Sequence, residues 1–294
     1  MNGKKFTFVI LHFIALEMTI ETIEVLLKNF SKYDFNIIVV DNASPNDSGR
    51  ELSEMYKNHQ RIDIMLSDKN LGFAKGNNLG YSFAKLKYQP DFIIVMNNDI
   101  IINQKNFLSK VIEIENKTQF DILGPDIYAI NDNFHQSPTR ERGLTLDELK
   151  IHQVEMQNFS KLHFYKKAIK QFVKSGINKV NHQLLKDSFY DYKKNHENVV
   201  LHGACYIFGK KFIDSRDYCF NPRTFMYYEE DILFFETEKA GLKTVYSPEI
   251  QVIHLEDVST NLFFKSKWKK EVAKNKEMLK SSIILQNIME GDLI

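Results

Sequence analysis

Phe92-Ile-Ile-Val-Met-Asn-Asn-Asp-Ile-Ile-Ile-Asn103 is the stretch whose reading decides the fold. Five apolar residues, Phe92 to Met96, run directly into Asn97, Asn98 and Asp99. An unbroken apolar run rich in β-branched side chains suits a central strand buried on both faces. Its polar end then falls at the carboxyl edge of the sheet, where open parallel α/β folds leave a crevice for ligands. Asp99 is a hard oxygen ligand, suited to a divalent cation that also holds substrate phosphates. Turn propensity alone would also explain Asn-Asn-Asp, so the stretch has to be read with its neighbours.

Upstream, Phe6–Phe13 reads as a strand, and Ile20, Ile23, Leu26, Leu27 and Phe30 recur at the spacing of an amphipathic helix. Ile37–Val40 is a second buried strand. It ends in Asp41, Asn42 and a polar turn that offers helix caps at Asp47 or Ser48. A short strand at Asp63–Leu66 leads into Asn70-Leu-Gly-Phe-Ala-Lys-Gly-Asn-Asn78 and then a helix to about Lys87. Strands alternating with helices predict βαβ units, a mostly parallel central sheet and helices on both faces. Downstream come a helix near Phe107–Asn116 and a strand at Ile122–Ile130.

The pattern changes over residues 131–198, which are poor in apolar runs and read as a mainly helical insertion. Residues 161–194 carry nine lysines against Asp187 and Asp191. Leu162, Tyr165, Ile169, Phe172 and Val173 sit among these lysines at roughly helical spacing, a pattern compatible with peripheral contact to an anionic membrane surface. Order returns with a strand at Val199–Phe208, whose Gly203 and Ala204 allow close backbone approach. Phe225–Leu233 enters a helix that ends before Gly241, a natural C′ residue. Strands at Lys243–Tyr246 and Ile250–His254 follow, and a helical tail covers residues 262–294.

Lys and Arg total 39 against 38 Asp and Glu, a formal charge of +1, so global charge gives no reason to expect nucleic-acid binding. Cys205 and Cys219 show no metal or disulfide spacing and read as small buried apolar residues in a reducing compartment. The apolar run after Lys4 and Lys5 imitates a secretory signal, but His12 and Glu17 interrupt it and no cleavage site follows. No run approaches the roughly 18 apolar residues of a membrane span. A cytoplasmic protein is expected.

Seven blocks stand in order: VILHF with TIE near the start, VVDNAS at 39–44, NLGFAKGNN at 70–78, VMNNDI at 95–100, GACYIF at 203–208, TFMYYEEDILF at 224–234 and VIHLEDVST at 252–260. Together they resemble the inverting GT-A glycosyltransferases of family 2, in particular the bacterial rhamnosyltransferase-like branch. The resemblance covers about residues 5–260, apart from the insertion, and implies a catalytic domain at 1–261 with a tail beyond. It places the family's D-x-D motif on Asn97-Asn98-Asp99, with Asn97 facing the nucleotide ribose and Asp99 holding Mn²⁺ or Mg²⁺. Asp41 and Asn42 would meet the nucleotide base, and Gly72, Gly76, Asn77 and Asn78 would form a donor-side loop. Glu229-Glu230-Asp231 matches the acceptor-side acidic block, which makes Glu230 or Asp231 the catalytic base. His254, with Ser259 beyond it, would join the metal or diphosphate, and His202 has a weaker claim on the acceptor. Where this family often has Arg, the chain has Glu236.

The activity implied is transfer of rhamnose or another hexose from a nucleoside-diphosphate donor to a glycan, with a lipid-carrier-linked glycan among the acceptors it implies, in bacterial surface polysaccharide synthesis. A general base must reach the acceptor hydroxyl, and charge grows on the departing diphosphate. Other classes fit less well. A dinucleotide oxidoreductase wants G-x-G-x-x-G after the first strand, where this chain reads LHFIALEM. A nucleotidyltransferase would need a Gly-rich, Arg- and Lys-containing loop there. A catalytically silent nucleotide- or glycan-binding module of the same fold is the alternative, because fold does not fix function.

Overall fold

The computed structural model describes residues 3–172, 191–255 and 266–291. Strands β1 (Lys5–His12), β2 (Asp34–Asp41), β3 (Ile62–Leu66) and β4 (Phe92–Asn97) form one half of a ten-stranded sheet. They pair in the order β3-β2-β1-β4, all parallel. Helices α1 (Leu16–Phe30), α2 (Ser48–Tyr56) and α3 (Gly72–Lys87) connect them. Alternate residues of each strand enter opposite cores. Phe8, Ile10, Ile37, Val39, Ile94 and Met96 pack with Ile23, Leu26 and Phe30 of α1, while Val9, Ile38, Val40, Ile93 and Val95 pack with Ala74, Tyr81 and Ala84 of α3. Burial on both faces explains the continuous apolar runs, each such side chain contributing roughly 1.5–3 kcal/mol.

The second half contains β5 (Ile100–Ile101), β6 (Ile122–Ala129), β7 (Phe134–His135), β8 (His196–Glu197), β9 (Cys205–Phe208) and β10 (Thr244–His254), with α4 (Phe107–Thr118) ahead of β6. Here the sheet is mixed rather than mostly parallel. β9 lies antiparallel between β4 and β6, and β10 is parallel to β6. Two antiparallel steps restore the direction, so β10 ends at the same sheet edge as β4. That register brings His254 opposite Ile100, next to Asp99.

The strand expected over Val199–Phe208 is regular only from Cys205. Residues 199–201 are buried, and Val200 bridges to Arg140 instead. The two strands expected at 243–254 are one, β10, with an irregularity between Ser247 and Gln251. Residues 131–198 contain α5 (Leu146–Phe172), but also β7, β8 and an extended segment, so the insertion is not helical throughout. The side chains of its lysine-rich part up to residue 190 lie outside the described residues, as does Ser259. After α6 (Lys210–Ser215), helix α7 (Glu229–Lys239) begins at the acidic block and not at Phe225, and Gly241 follows it with φ +65°. Helix α8 (Lys267–Glu290) shares a third core with α5 and α7, built on Leu149, Tyr228, Ile232, Leu285 and Ile288. Both cysteines are buried and unbridged. Among the described residues, no helix is long and apolar enough to cross a membrane.

Candidate active site

The carboxyl ends of β1, β2, β4 and β10 share one edge of the sheet, and polar side chains gather there. Asp99 follows β4 and is only 7% exposed. Its backbone carbonyl accepts from Leu255 N at 3.0 Å, which fixes the end of β10 against it. His254 Nε2 stands 3.3 Å from Asp99 Oδ1, yet that oxygen is buried with no hydrogen-bond partner. Gln136 Oε1 lies 2.7 Å from His254 Nδ1. With that nitrogen carrying the proton, Nε2 turns a lone pair toward the carboxylate. Two buried acceptors facing one another suit a shared cation.

Among the described residues, no group of three or more His, Cys, Asp or Glu side chains could alone hold a metal ion. One carboxylate and one imidazole leave most of the coordination sphere to substrate oxygens and water, as Mg²⁺ and Mn²⁺ accept in phosphate sites. The donor set therefore fits such a cation. Asn97 is half-buried at the strand end and its N–H donates to Ala204 O at 3.0 Å. Asn98 is buried, with its amide on Thr19 Oγ1 at 3.0 Å and its carbonyl on Thr22 Oγ1 at 2.8 Å, so it ties the turn to α1.

Asp41 ends β2 and accepts from Ser44 N at 3.2 and 3.3 Å. Burial raises its pKa, against the Ser44 hydrogen bonds that lower it. A Cβ on Gly49 would lie 2.2 Å from Asp41 Cγ, so the start of α2 must be glycine for the carboxylate to sit there. The carboxamide of Asn42 is committed internally: its oxygen accepts from Leu71 N at 2.7 Å, and its nitrogen donates to Asn70 Oδ1 and Gly72 O, both at 3.1 Å.

The expected donor-side loop is not a loop. Gly72, Gly76, Asn77 and Asn78 all lie in α3. Gly72 has φ +78° and meets Phe225 O, while a Cβ on Gly76 would lie 2.6 Å from Leu11 Cδ1. These glycines let α3 sit flush on its neighbours. Asn77 donates to Phe73 O at 3.0 Å within the helix, and Asn78 binds Cys219 N and Phe220 N, both at 3.0 Å.

On the other side of the crevice, Tyr227 and Tyr228 hold φ +74° and +64°, a strained pair that turns the chain into α7. Three carboxylates follow. Glu229 is buried with Oε1 lacking a hydrogen-bond partner, and burial, then the Glu230 charge, push its pKa up to about 8. Glu230 Oε1 accepts from Gly203 N at 3.2 Å. Burial raises its pKa, Asp231 adds to the rise, and Arg140 and the Gly203 N–H oppose it. Asp231 pairs with the Arg140 guanidinium, which counters part of its own burial-driven rise. His202 lies between the two sides. Its Nδ1 accepts from Ala204 N at 3.2 Å, its ring stands edge-on to His254 at 6.0 Å, and burial, then the neighbouring His254 ring, lowers its pKa to about 3.

Residues 7–189, more than half of the chain, match the family described as Glycosyl transferase family 2. The chain belongs to this family. No curated protein matches it in sequence. Among solved structures, Staphylococcus aureus TarS 1–349 in complex with UDP-GlcNAc is similar, with a TM-score of 0.53, 14% identity, and coverage of 95% of this chain and 66% of that one. GalNAc-T7 with UDP, GalNAc and Mn²⁺ is similar as well, with a TM-score of 0.56, 14% identity, and coverage of 97% and 55%. At this identity the likeness is one of fold, the GT-A arrangement of a central mixed sheet flanked by helices. The chain spans 66% and 55% of the length of these two relatives.

Three features of this family 2 domain have no signal in sequence. Gln136 and Arg140 come from the start of the insertion, and the partner of Glu236 is distant. Glu236 pairs with Arg216 and accepts from Asn221 Nδ2 at 2.6 Å. Glu236 on α7 thus meets a positive charge from Arg216, the C-cap residue of α6.

Proposed function

We propose that the protein transfers a sugar, rhamnose or another hexose, from a nucleoside-diphosphate donor to a glycan hydroxyl with inversion at the anomeric carbon. The observation that carries this reading is the buried Asp99 oxygen without a hydrogen-bond partner, facing His254 Nε2 at the ligand-binding edge of a family 2 domain. Asp99 and His254 would hold the cation, Mn²⁺ or Mg²⁺, at the place where the donor diphosphate binds. When bound, the cation neutralises charge on the leaving diphosphate. The UDP-GlcNAc in one similar structure and the UDP and Mn²⁺ in the other support a nucleotide-sugar donor with a divalent cation. Asp41 accepts a hydrogen bond from the base and Asn97 faces the ribose. Asn42, Gly72 and Asn77 shape that pocket from behind.

Glu230 acts as the base. It accepts a backbone N–H from Gly203, whereas Asp231 is engaged by Arg140. Glu230 takes the acceptor proton as the acceptor oxygen attacks the anomeric carbon. The bond to the diphosphate oxygen breaks on the opposite face and its electron pair leaves with the nucleotide. A carboxylate held in reach of the hydroxyl with a raised pKa suits that task. The catalytic domain is residues 1–261, with the insertion at 131–198 serving the acceptor and the helical tail at 262–294 beyond it. That acceptor is a surface glycan on a lipid carrier, met at the cytoplasmic face of the membrane, with the basic insertion as the membrane contact.

Calorimetry with UDP and dTDP, with and without Mn²⁺ or Mg²⁺, tests the donor half on the wild type and Asp99→Ala. Cation-dependent binding that disappears in Asp99→Ala is expected. Absence of binding under every condition would remove the reading for these donors. A catalytically silent module would bind nucleotide but release none from a panel of UDP- and dTDP-sugars.

A further inference from the structure

Arg140 lies outside every motif of the family resemblance, 91 residues before its partner. It arrives on an extended segment that follows β7 and bridges to Val200. Thr139 N donates to Val200 O at 2.8 Å and Val200 N donates to Arg140 O at 2.9 Å. Val200 is three residues before Gly203, the donor to Glu230. The two ends of the insertion therefore meet beside α7, and each supplies one contact to the acidic block. Arg140 engages Asp231 and Gly203 engages Glu230. Arg140 Nε is itself buried with no hydrogen-bond partner, which leaves its charge directed to that carboxylate.

We propose that Arg140 is a positioning residue that neutralises Asp231 from the insertion side, so that Glu230 faces a paired carboxylate instead of a bare one. This rests on the assignment of Glu230 as base. Two adjacent carboxylates at the start of a helix cannot both ionise cheaply in a buried site, and a guanidinium on one relieves the other. The remaining charged and titratable groups around the pair are Glu229 on the same turn, Tyr206 on β9, Tyr228 at the helix start and His152 on α5. None of the other three groups carries the fixed positive charge that Arg140 supplies. His152, which also acts on Asp231, is charged only when protonated.

The test is a carboxyl ¹³C titration of the full-length protein labelled at glutamate Cδ, with Glu230 identified by the resonance lost in Glu230→Gln. Arg140→Met should move the Glu230 midpoint upward by about one pH unit, Arg140→Lys should restore most of that shift, and Asp231→Asn should move it downward. The double variant Arg140→Met/Asp231→Asn removes both charges. It should bring the midpoint back toward wild type, and it leaves no unpaired carboxylate to prevent folding. A midpoint unmoved in Arg140→Met, or a double variant that titrates with Asp231→Asn should Arg140→Met not fold, overturns the role of Arg140. Full nucleotide release by Glu230→Gln would instead overturn the base assignment and leave the measured coupling standing.

Discussion

Glu229, Glu230 and Asp231 are adjacent in sequence and face three different surroundings. Glu229 has neither an arginine nor the Gly203 N–H, so burial, and after it the Glu230 charge, raise it from 4.5 to about 8. A carboxyl whose folded pKa lies above its unfolded value holds a proton that the unfolded chain has released. It therefore favours the native state at low pH, and that stability is lost as pH rises from about 4.5 to about 8. His12 and His202 act in the opposite sense, because burial lowers them from 6.5 to about 4 and about 3. Their contribution is present above pH 6.5 and is lost as pH falls toward those values. A wild-type curve mixes the two, so the informative quantity is a difference. The Tm of Glu229→Gln should rise relative to wild type between pH 5 and pH 8. A gap constant across that range would mean that native Glu229 is already ionised. Asp99 stood out in the sequence as the polar end of an apolar strand run, and His254 only through its place in the ordered blocks of the family resemblance. Gln136 and Arg140 did not stand out, since lone polar residues in a segment without periodicity give no hint of partners 118 and 91 positions away.

Among the elements, α3 shows why a glycine-rich stretch misleads. Asn70–Asn78 has the composition of a glycine-rich turn, but a Cβ on Gly76 would lie 2.6 Å from Leu11 Cδ1, and one on Gly80, further along the same helix, 2.5 Å from Val9 Cγ1. The glycines serve helix-to-sheet packing, which composition alone does not separate from a turn. Helix α8 is the opposite case: its helical character was readable in the sequence, its role was not. Ser281 Oγ donates to Met226 O at 2.8 Å, and Leu285, 2% exposed, packs in one cluster with Tyr228 and Ile232. The C-terminal helix thus braces the strained turn that launches α7. Leu285→Ala should cost about 2–4 kcal/mol. The loss should appear as faster amide hydrogen exchange over 225–240, with protection in β1, β2 and β4 unchanged. Equal loss of protection in those strands would show that α8 is not a local brace.

Across the whole molecule, the sheet joins a parallel half, β3-β2-β1-β4, to a mixed half entered through β9. Continuous apolar runs made the parallel half legible. The antiparallel placement of β9 was not, because a buried strand reads the same in either direction and its pairing is set by where the insertion returns the chain. Asp99 lies where the halves meet, since β5 pairs with the end of β10. A nucleotide sharing a cation with Asp99 and His254 therefore ties the two halves together, whereas Glu230 stands on α7 across the crevice. UDP with Mn²⁺ at about 100 times Kd should stabilise the protein by about 2.7 kcal/mol. For a chain of this size that corresponds to a rise in Tm of about 4 °C. Asp99→Ala should abolish the rise, because it removes the only carboxylate proposed to hold the cation. Glu230→Gln should keep it in full, because the base meets the acceptor and not the donor. A rise lost in both variants would mean that the acidic block contributes to donor binding, and the division of labour between the two sides of the crevice would have to be redrawn.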